Sequence, residues 1–284
     1  MPSTNPMKVT YLMVLTYIAD CVWVGTKPCK YFQLNSAYFD RQEGIFSKLA
    51  IDKLIPSEWR LLQYYDDDSR QPARYPVFVK PEWGQNARGI FRADNATELQ
   101  QIRARIAGEN VRYLVQEGAL EKNEYEIFSM RHHRQPGRYS VLTITQAVNE
   151  SEPNPINGIY NGNTRYIEIT EFLSEAELET LWALVQRIGS FGISRASVRA
   201  DSTSALLQGK FHVIEVNLFA PMPINMLDAR YKWKDMIRFV SQYMMCLALL
   251  TKYRDKKLET KPVFTKIMLY NRKNRLLNFV RAHI

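Results

Sequence analysis

Two short segments near residue 200 constrain this chain most: SVRAD, Ser197 to Asp201, and FHVIEVNLFAP, Phe211 to Pro221. In both, apolar or β-branched residues alternate with polar ones, and Ser202 to Gly209 between them is turn-like. That pattern predicts two short strands. Residues two apart share one face of a strand. Glu215 and Asn217 therefore project together, as do Arg199 and Asp201, and an antiparallel hairpin would set the two pairs side by side. Two carboxylates, an amide oxygen and a guanidinium would then share a face, and such hard oxygens suit magnesium held together with substrate phosphates. Glu-x-Asn equally describes an ordinary solvated strand face, so the rest of the chain has to decide.

Val9 to Gly25 is an apolar run, slightly short for a membrane span and interrupted by Asp20. It predicts a buried strand or helix, with membrane contact as the alternative. A single Lys8 precedes it and no small-residue cleavage site follows, which argues against a signal peptide. Ile45 to Leu54 has helical spacing and stops before Pro56; residues 66–74, DDDSRQPAR, read as a polar linker. YPVFVKP, Tyr75 to Pro81, is a strand with Phe78 and Lys80 on one face and Val77 and Val79 on the other, followed by the glycine-bearing loop Trp83 to Gly89. Strand patterns recur at Ile90 to Ala93, Val111 to Gln116, Glu124 to Met130 and Tyr139 to Val148, with a helix over Asn95 to Ala107. Ser174 and Glu177 form a capping box ahead of a helix whose buried stripe is Leu178, Leu181, Leu184, Val185 and Ile188. Tyr231 to Leu250 and Phe264 to Val280 are helical. The alternation predicts an α/β or α+β core.

Much familiar chemistry is excluded. There is no GxGxxG, and Gly84 and Gly89 have P-loop spacing but are followed by Ile90 where a lysine is required. His132 and His133 have no acid or cysteine at ligand spacing and read as a surface pair. No GxSxG elbow or Cys–His pair points to covalent catalysis. Cys21, Cys29 and Cys246 form no CxxC, so a reducing cytoplasm is the expected compartment. Of the 284 residues, those from Thr251 onward hold ten Lys or Arg against two acids, which accounts for nearly all of the net charge of +9. The remainder is close to neutral, which argues against a dedicated nucleic-acid binder.

What remains is an ordered series: Lys48, Lys80, the glycine loop, Glu117, Glu124, Arg199, Asp201, Glu215, Asn217. In order and spacing it resembles the ATP-grasp superfamily, in particular the carboxylate–amine ligases similar to D-alanine–D-alanine ligase. YPVFVKPEWGQNARGI resembles that family's nucleotide-lysine strand and phosphate loop. LVQEGALEKNEYEIF resembles its hinge strand, and RADSTSALLQGKFHVIEVN its pair of metal-bearing strands. The resemblance covers about residues 45–228.

It implies an α+β ATP-grasp fold, two α/β subdomains clasping ATP, with a C-terminal helical extension. The implied division is a reduced N-terminal segment over 1–44, the ATP-grasp domain over 45–228 with subdomains of about 72–130 and 131–228, and a basic helical extension over 229–284. Lys80 and Lys48 (with Lys53 as rival) would bind phosphates, helped by loop amides at Gly84 and Gly89. Glu117 and the Leu120 backbone would hold adenine and Glu124 the ribose. Asp201, Glu215 and Asn217 would carry one or two magnesium ions, with Arg199 as the catalytic arginine. The implied reaction is ATP-dependent ligation of a carboxylate to an amine or a thiol through an acyl phosphate; a non-catalytic nucleotide-binding scaffold is the alternative. Departures limit the analogy. Only about forty-five residues precede the first motif, Asn86 and Ala87 replace the loop's serine pair, and LFAPMPIN follows Asn217. D-alanine is therefore not the expected substrate; an amino acid, peptide or small acid is. The tail, packing through Phe264, Ile267, Met268, Leu276, Leu277 and Val280, could dock an acidic partner, and a homodimer is a further expectation.

Overall fold

The computed structural model describes residues 6–84, 87–254 and 259–281. Helix α1 (Pro6–Val24) and the short α2 (Lys48–Asp52) open the chain. The first lobe holds β1 (Gln63–Tyr65), β2 (Val77–Pro81), β3 (Phe91–Ala93), helix α3 (Ala96–Ile106) and β4 (Tyr113–Glu117). The second holds β5 (Asn123–Arg131), β6 (Tyr139–Val148), β7 (Arg165–Glu168), α4 (Glu175–Ile188), β8 (Ile193–Ala200), α5 (Thr203–Leu207) and β9 (His212–Asn217). Two long helices follow, α6 (Trp233–Lys252) and α7 (Val263–Arg281). The fold is α+β, with one antiparallel sheet ordered β1-β4-β2-β3 and another ordered β7-β6-β5-β8-β9.

In the first sheet the period of two divides the work. Val77, Val79, Ala93 and Val115 pack on Leu99 and Ile106 of α3, which leaves Phe78 and Lys80 on the opposite face. α3 starts where the Asn95 side chain accepts from the Glu98 amide, an N-cap that satisfies one otherwise orphaned donor. The polar stretch expected to be a linker is anchored instead: Asp66 takes three hydrogen bonds from the buried Arg103. β1 just before it pairs with β4, so the first lobe begins ahead of residue 72.

The second sheet is polar and apolar by turns along a single face. Tyr125, Ile127, Ala196 and Val198 face Leu181, Trp182, Val185 and Ile188 of α4, whose capping box forms as the sequence predicts. On the reverse face, Phe128, Met130 and Ile193 sit under α1 and α6, whereas Glu124, Glu126, Ser197 and Arg199 nearer the other strand ends line a cleft instead. β5 lies at the centre of this sheet rather than with the first lobe, because the chain crosses between lobes at Gly118 to Lys122. The apolar N-terminal run is a helix buried on one face only: Val9, Tyr17 and Cys21 pack against α6, while Leu15, Val22 and Trp23 are exposed. Among the described residues no helix is long and apolar enough to cross a membrane. α7 packs through Val263 and Ile267, and Phe264 and Met268 are about half exposed rather than buried. The side chains of Leu276, Leu277 and Val280 lie outside the described residues.

The crossover leaves no room for a larger residue at its first position. A Cβ on Gly118 would lie 2.9 Å from the Pro76 carbonyl oxygen, 3.1 Å from Pro76 Cγ and 3.3 Å from Phe78 Cε2. The Gly118 amide donates to that same carbonyl, so β4 cannot shift away without losing the bond. Gly118→Val is expected to cost about 1–3 kcal/mol, the usual range for overpacking, read as a lower midpoint in urea denaturation.

Candidate functional site

The bare face of the first sheet and the polar half of the second sheet's face line an open cleft of about 130 Å³. Lys80 is its most constrained cation, at 3% exposure. Its Nζ donates to Gln116 Oε1 at 2.9 Å on β4 and to the Ile214 carbonyl at 3.2 Å on β9, so it spans the two sheets. Burial, only partly offset by Glu215, pushes its pKa down to about 8. Lys48, the first residue of α2, donates to the Pro81 carbonyl at 3.1 Å and lies 4.0 Å from Glu215. Lys53 caps the far end of the same helix and is exposed. The structure thus brings Lys48, not Lys53, to Lys80.

β8 and β9 form the expected antiparallel pair, joined through α5, but in a register that changes its partners. Asn217 lies opposite Arg195 and Glu215 opposite Ser197; a bulge then skips Ile214 and sets Val213 opposite Val198 and His212 opposite Arg199. Asp201 is one residue past the end of β8, exposed, and accepts from the Lys122 amide. It does not line the cleft, so the predicted grouping of Asp201 with Glu215 and Asn217 is corrected: the strand ends before reaching it. Arg199 lines the cleft but is turned to the crossover, donating to the Ala119 and Lys122 carbonyls and to Asn154 Oδ1.

Glu117 and Glu124 mark the crossover end. Glu117 accepts from Arg74 at 2.8 Å. Glu124 accepts from Asn157 at 2.9 Å, and burial together with neighbouring Glu126 pushes its pKa up to about 7 against the pull of Asn157 and Arg199. Leu120 turns its side chain to solvent and only its backbone remains for the expected role. Gly84 lines the cleft and Gly89 does not; Gly89 and Ala87 both have positive φ, which for Ala87 means a strained backbone at the cleft wall. Gln85 and Asn86 of this loop lie outside the described residues. His132 accepts from the amides of its own turn and stacks on His133, as a structural pair would.

Several functional groups escaped the sequence reading. Glu126 and Arg195 face the cleft and lie 3.0 Å apart; stepping by two from Glu124 and from Arg199 would have found them. The connection between β6 and β7, residues 149–164, covers the mouth. Its Pro155 to Ile159 line the cleft, while Arg92 of β3 donates to Glu152 and to the Pro153 and Asn154 carbonyls. A connection this long without regular structure is itself a signal of function.

The donor set admits magnesium. Among the described residues no three His, Cys, Asp or Glu converge into a metal cage, but magnesium commonly takes one or two carboxylates and leaves the remaining positions to phosphates and water. Glu215 and Asn217 supply hard oxygens beside two lysines. Glu126 adds a further carboxylate to the cleft, its Oε2 ion-paired with Arg195 Nε at 3.0 Å.

The chain is similar to an L-amino acid ligase from Bacillus licheniformis, at 17% identity over 70% of this chain and 47% of the ligase, with a TM-score of 0.46. It is also similar to a D-alanine–D-alanine ligase from Bacillus anthracis complexed with ATP (14% identity, 80% of this chain, 67% of that one, TM-score 0.45). The VanG D-Ala:D-Ser ligase from Enterococcus faecalis is similar at 13% identity, over 76% of this chain and 70% of that one, with a TM-score of 0.48. The chain spans about half the length of the first of these (47%). No protein-family model and no curated protein matches it.

Proposed function

We propose that the chain binds ATP with magnesium and joins a carboxylate to an amine, or less often a thiol, through an acyl phosphate. The acid is an amino acid, a peptide or another small acid. The observation that carries this reading is the convergence of Lys80 and Lys48 from one side with Arg195, Glu215 and Asn217 from the other, around one cleft that ends in Glu117 and Glu124. Lys80 and Lys48 hold the phosphates, and the backbone around Gly84 and Gly89 closes over them. Glu117 and the Leu120 backbone take the base, and Glu124 accepts from the ribose hydroxyls. Glu215 and Asn217 hold magnesium, which when bound offsets phosphate charge. Arg195, opposite Asn217, takes the catalytic place expected of Arg199, whose guanidinium is committed to crossover carbonyls.

A substrate carboxylate oxygen attacks the γ-phosphorus, the bond to the ADP oxygen breaks, and ADP leaves. The amine then attacks the acyl carbon, phosphate leaves and the amine loses a proton. Lys80, Lys48 and Arg195 stabilise the charge on the moving phosphoryl group from fixed positions. Residues 149–164 over the mouth exclude water from the acyl phosphate. Hydroxylamine intercepts such a species: ATP, magnesium and an amino-acid and dipeptide panel should give a hydroxamate with matching ADP. A second reading, nucleotide binding without turnover, is favoured by Ser197 standing opposite Glu215 where a second carboxylate was expected. It predicts nucleotide binding with no hydroxamate from any acid; no thermal response to millimolar nucleotide would sink both.

Lys80 also fixes a pH dependence. Phosphate favours the charged lysine, so binding raises its pKa and takes up a proton near pH 8. Affinity for an ATP analogue with magnesium should be level below that pH and about tenfold weaker at pH 9 than at pH 7. Titration calorimetry in buffers of differing ionisation heat would read both the affinity and the proton.

A further inference from the structure

We infer that Glu126 is a magnesium ligand of this site, supplying the second carboxylate that the strand register withholds from Asp201; the inference rests on the nucleotide-binding reading above. The register sets Glu126, Ser197 and Glu215 in one row across β5, β8 and β9, and all three line the cleft. The middle place, where a carboxylate would sit beside Glu215, holds a hydroxyl. That hydroxyl donates to Glu126 Oε1 at 2.9 Å and so fixes the neighbouring carboxylate. Glu126 Oε2 is ion-paired with Arg195 Nε at 3.0 Å. The row therefore presents a carboxylate held in place by Ser197 and Arg195, on the same sheet face as Glu215 and Asn217.

Asp201 has none of these attributes. It is exposed, outside the cleft, and occupied at the turn between β8 and α5. A cation entering with nucleotide phosphates would meet Glu215, Asn217 and Glu126, a count of two carboxylates that suits magnesium. The competing role for Glu126 is to orient Arg195 alone.

Manganese separates these roles, because its electron paramagnetic resonance signal reports metal binding without turnover. The full chain is titrated with manganese in the presence of a non-hydrolysable ATP analogue, and with ADP in EDTA to read nucleotide binding without metal. Glu126→Gln keeps the shape and the bond from Ser197. It should weaken manganese binding at least about tenfold, since even outer partners of metal ligands commonly cost about that much, while ADP binding in EDTA stays within about twofold. Asp201→Asn should change neither. Ser197→Asp in the Glu126→Gln background should restore manganese binding, which an arginine-orienting role does not allow. Wild-type manganese affinity in Glu126→Gln, or its loss in Asp201→Asn, would overturn the assignment. Wild type that binds neither ADP in EDTA nor the metal–analogue pair would overturn the nucleotide reading itself, and this assignment with it.

Discussion

Lys80→Met is expected to raise the melting temperature of the unliganded protein and to abolish its response to ATP with magnesium. The two effects share a cause. Burial lowers the Lys80 pKa from 10.5 to about 8, and each pKa unit corresponds to about 1.4 kcal/mol of preference between charge states. Holding the charged lysine in the fold at neutral pH therefore costs about 3 kcal/mol. Between pH 8 and 10.5 the unfolded chain binds more protons at this residue than the native one, so this contribution makes the protein more stable as pH rises through that window. Below pH 8 the penalty is complete. Methionine fills the same path without charge. Gln116 Oε1 loses its donor, whereas the Ile214 carbonyl keeps the Gln116 amide at 3.0 Å. The net gain should be about 1–3 kcal/mol, several degrees in a melting scan. A variant that melts lower than wild type, or one that still shifts with nucleotide, would show that Lys80 is neither a buried charge nor a phosphate ligand.

Trp59→Ala should be the most damaging single truncation near the site, at about 3–5 kcal/mol. Trp59 is 2% exposed and stacks on Phe211 with ring centroids 4.6 Å apart. Its Nε1 donates to the Gly209 carbonyl at 2.8 Å, and the Arg187 guanidinium of α4 covers the ring at 4.3 Å. The residue thus pins the chain just ahead of β1 to the entrance of β9, on which Glu215 and Asn217 stand. Truncation leaves a cavity of indole size and removes the hydrogen bond to the Gly209 carbonyl. Guanidinium unfolding of Trp59→Ala beside Trp59→Phe separates the terms. Phenylalanine keeps the stack and should lose about 1 kcal/mol, the ordinary worth of one hydrogen bond. Equal losses in both variants would place the stability in the bond rather than the packing.

Secondary structure was legible wherever one physical rule governed. The capping box of α4, the inward Lys80 opposite Val77 and Val79, and the limits of β6 follow from period and caps alone. Pairing was legible for β8 with β9, but its register was not, since a bulge changes partners without changing composition. The sequence reading therefore set Arg199 and Asp201 beside Glu215 and Asn217, where the structure sets Ser197 and Arg195: the face was right and the register was four residues off. Glu126 was missed because Tyr125 and Ile127 beside it made the strand look like a half-buried one with a solvated face. The N-terminal run was underdetermined for another reason. It is apolar on all sides, so its period could not tell the face against α6 from the face left open. The crossover could not be placed at Gly118 from sequence, because the steric demand there comes from Pro76 and Phe78, some forty residues earlier.

The core residues along β9 and its two flanking positions are 211, 213, 216 and 218, a spacing of two, three and two. Removing Ile214 from that count leaves a strictly alternating strand with His212, Glu215 and Asn217 still on the face away from the core. The extra residue thus serves neither the core nor the aim of the acidic groups. What it adds is one main-chain oxygen released from the ladder, and two side chains of the opposite lobe hold it. No side-chain substitution at this position can take that oxygen away. The contact between the two halves of the molecule is in that sense written in the number of residues in a strand, not in their kinds.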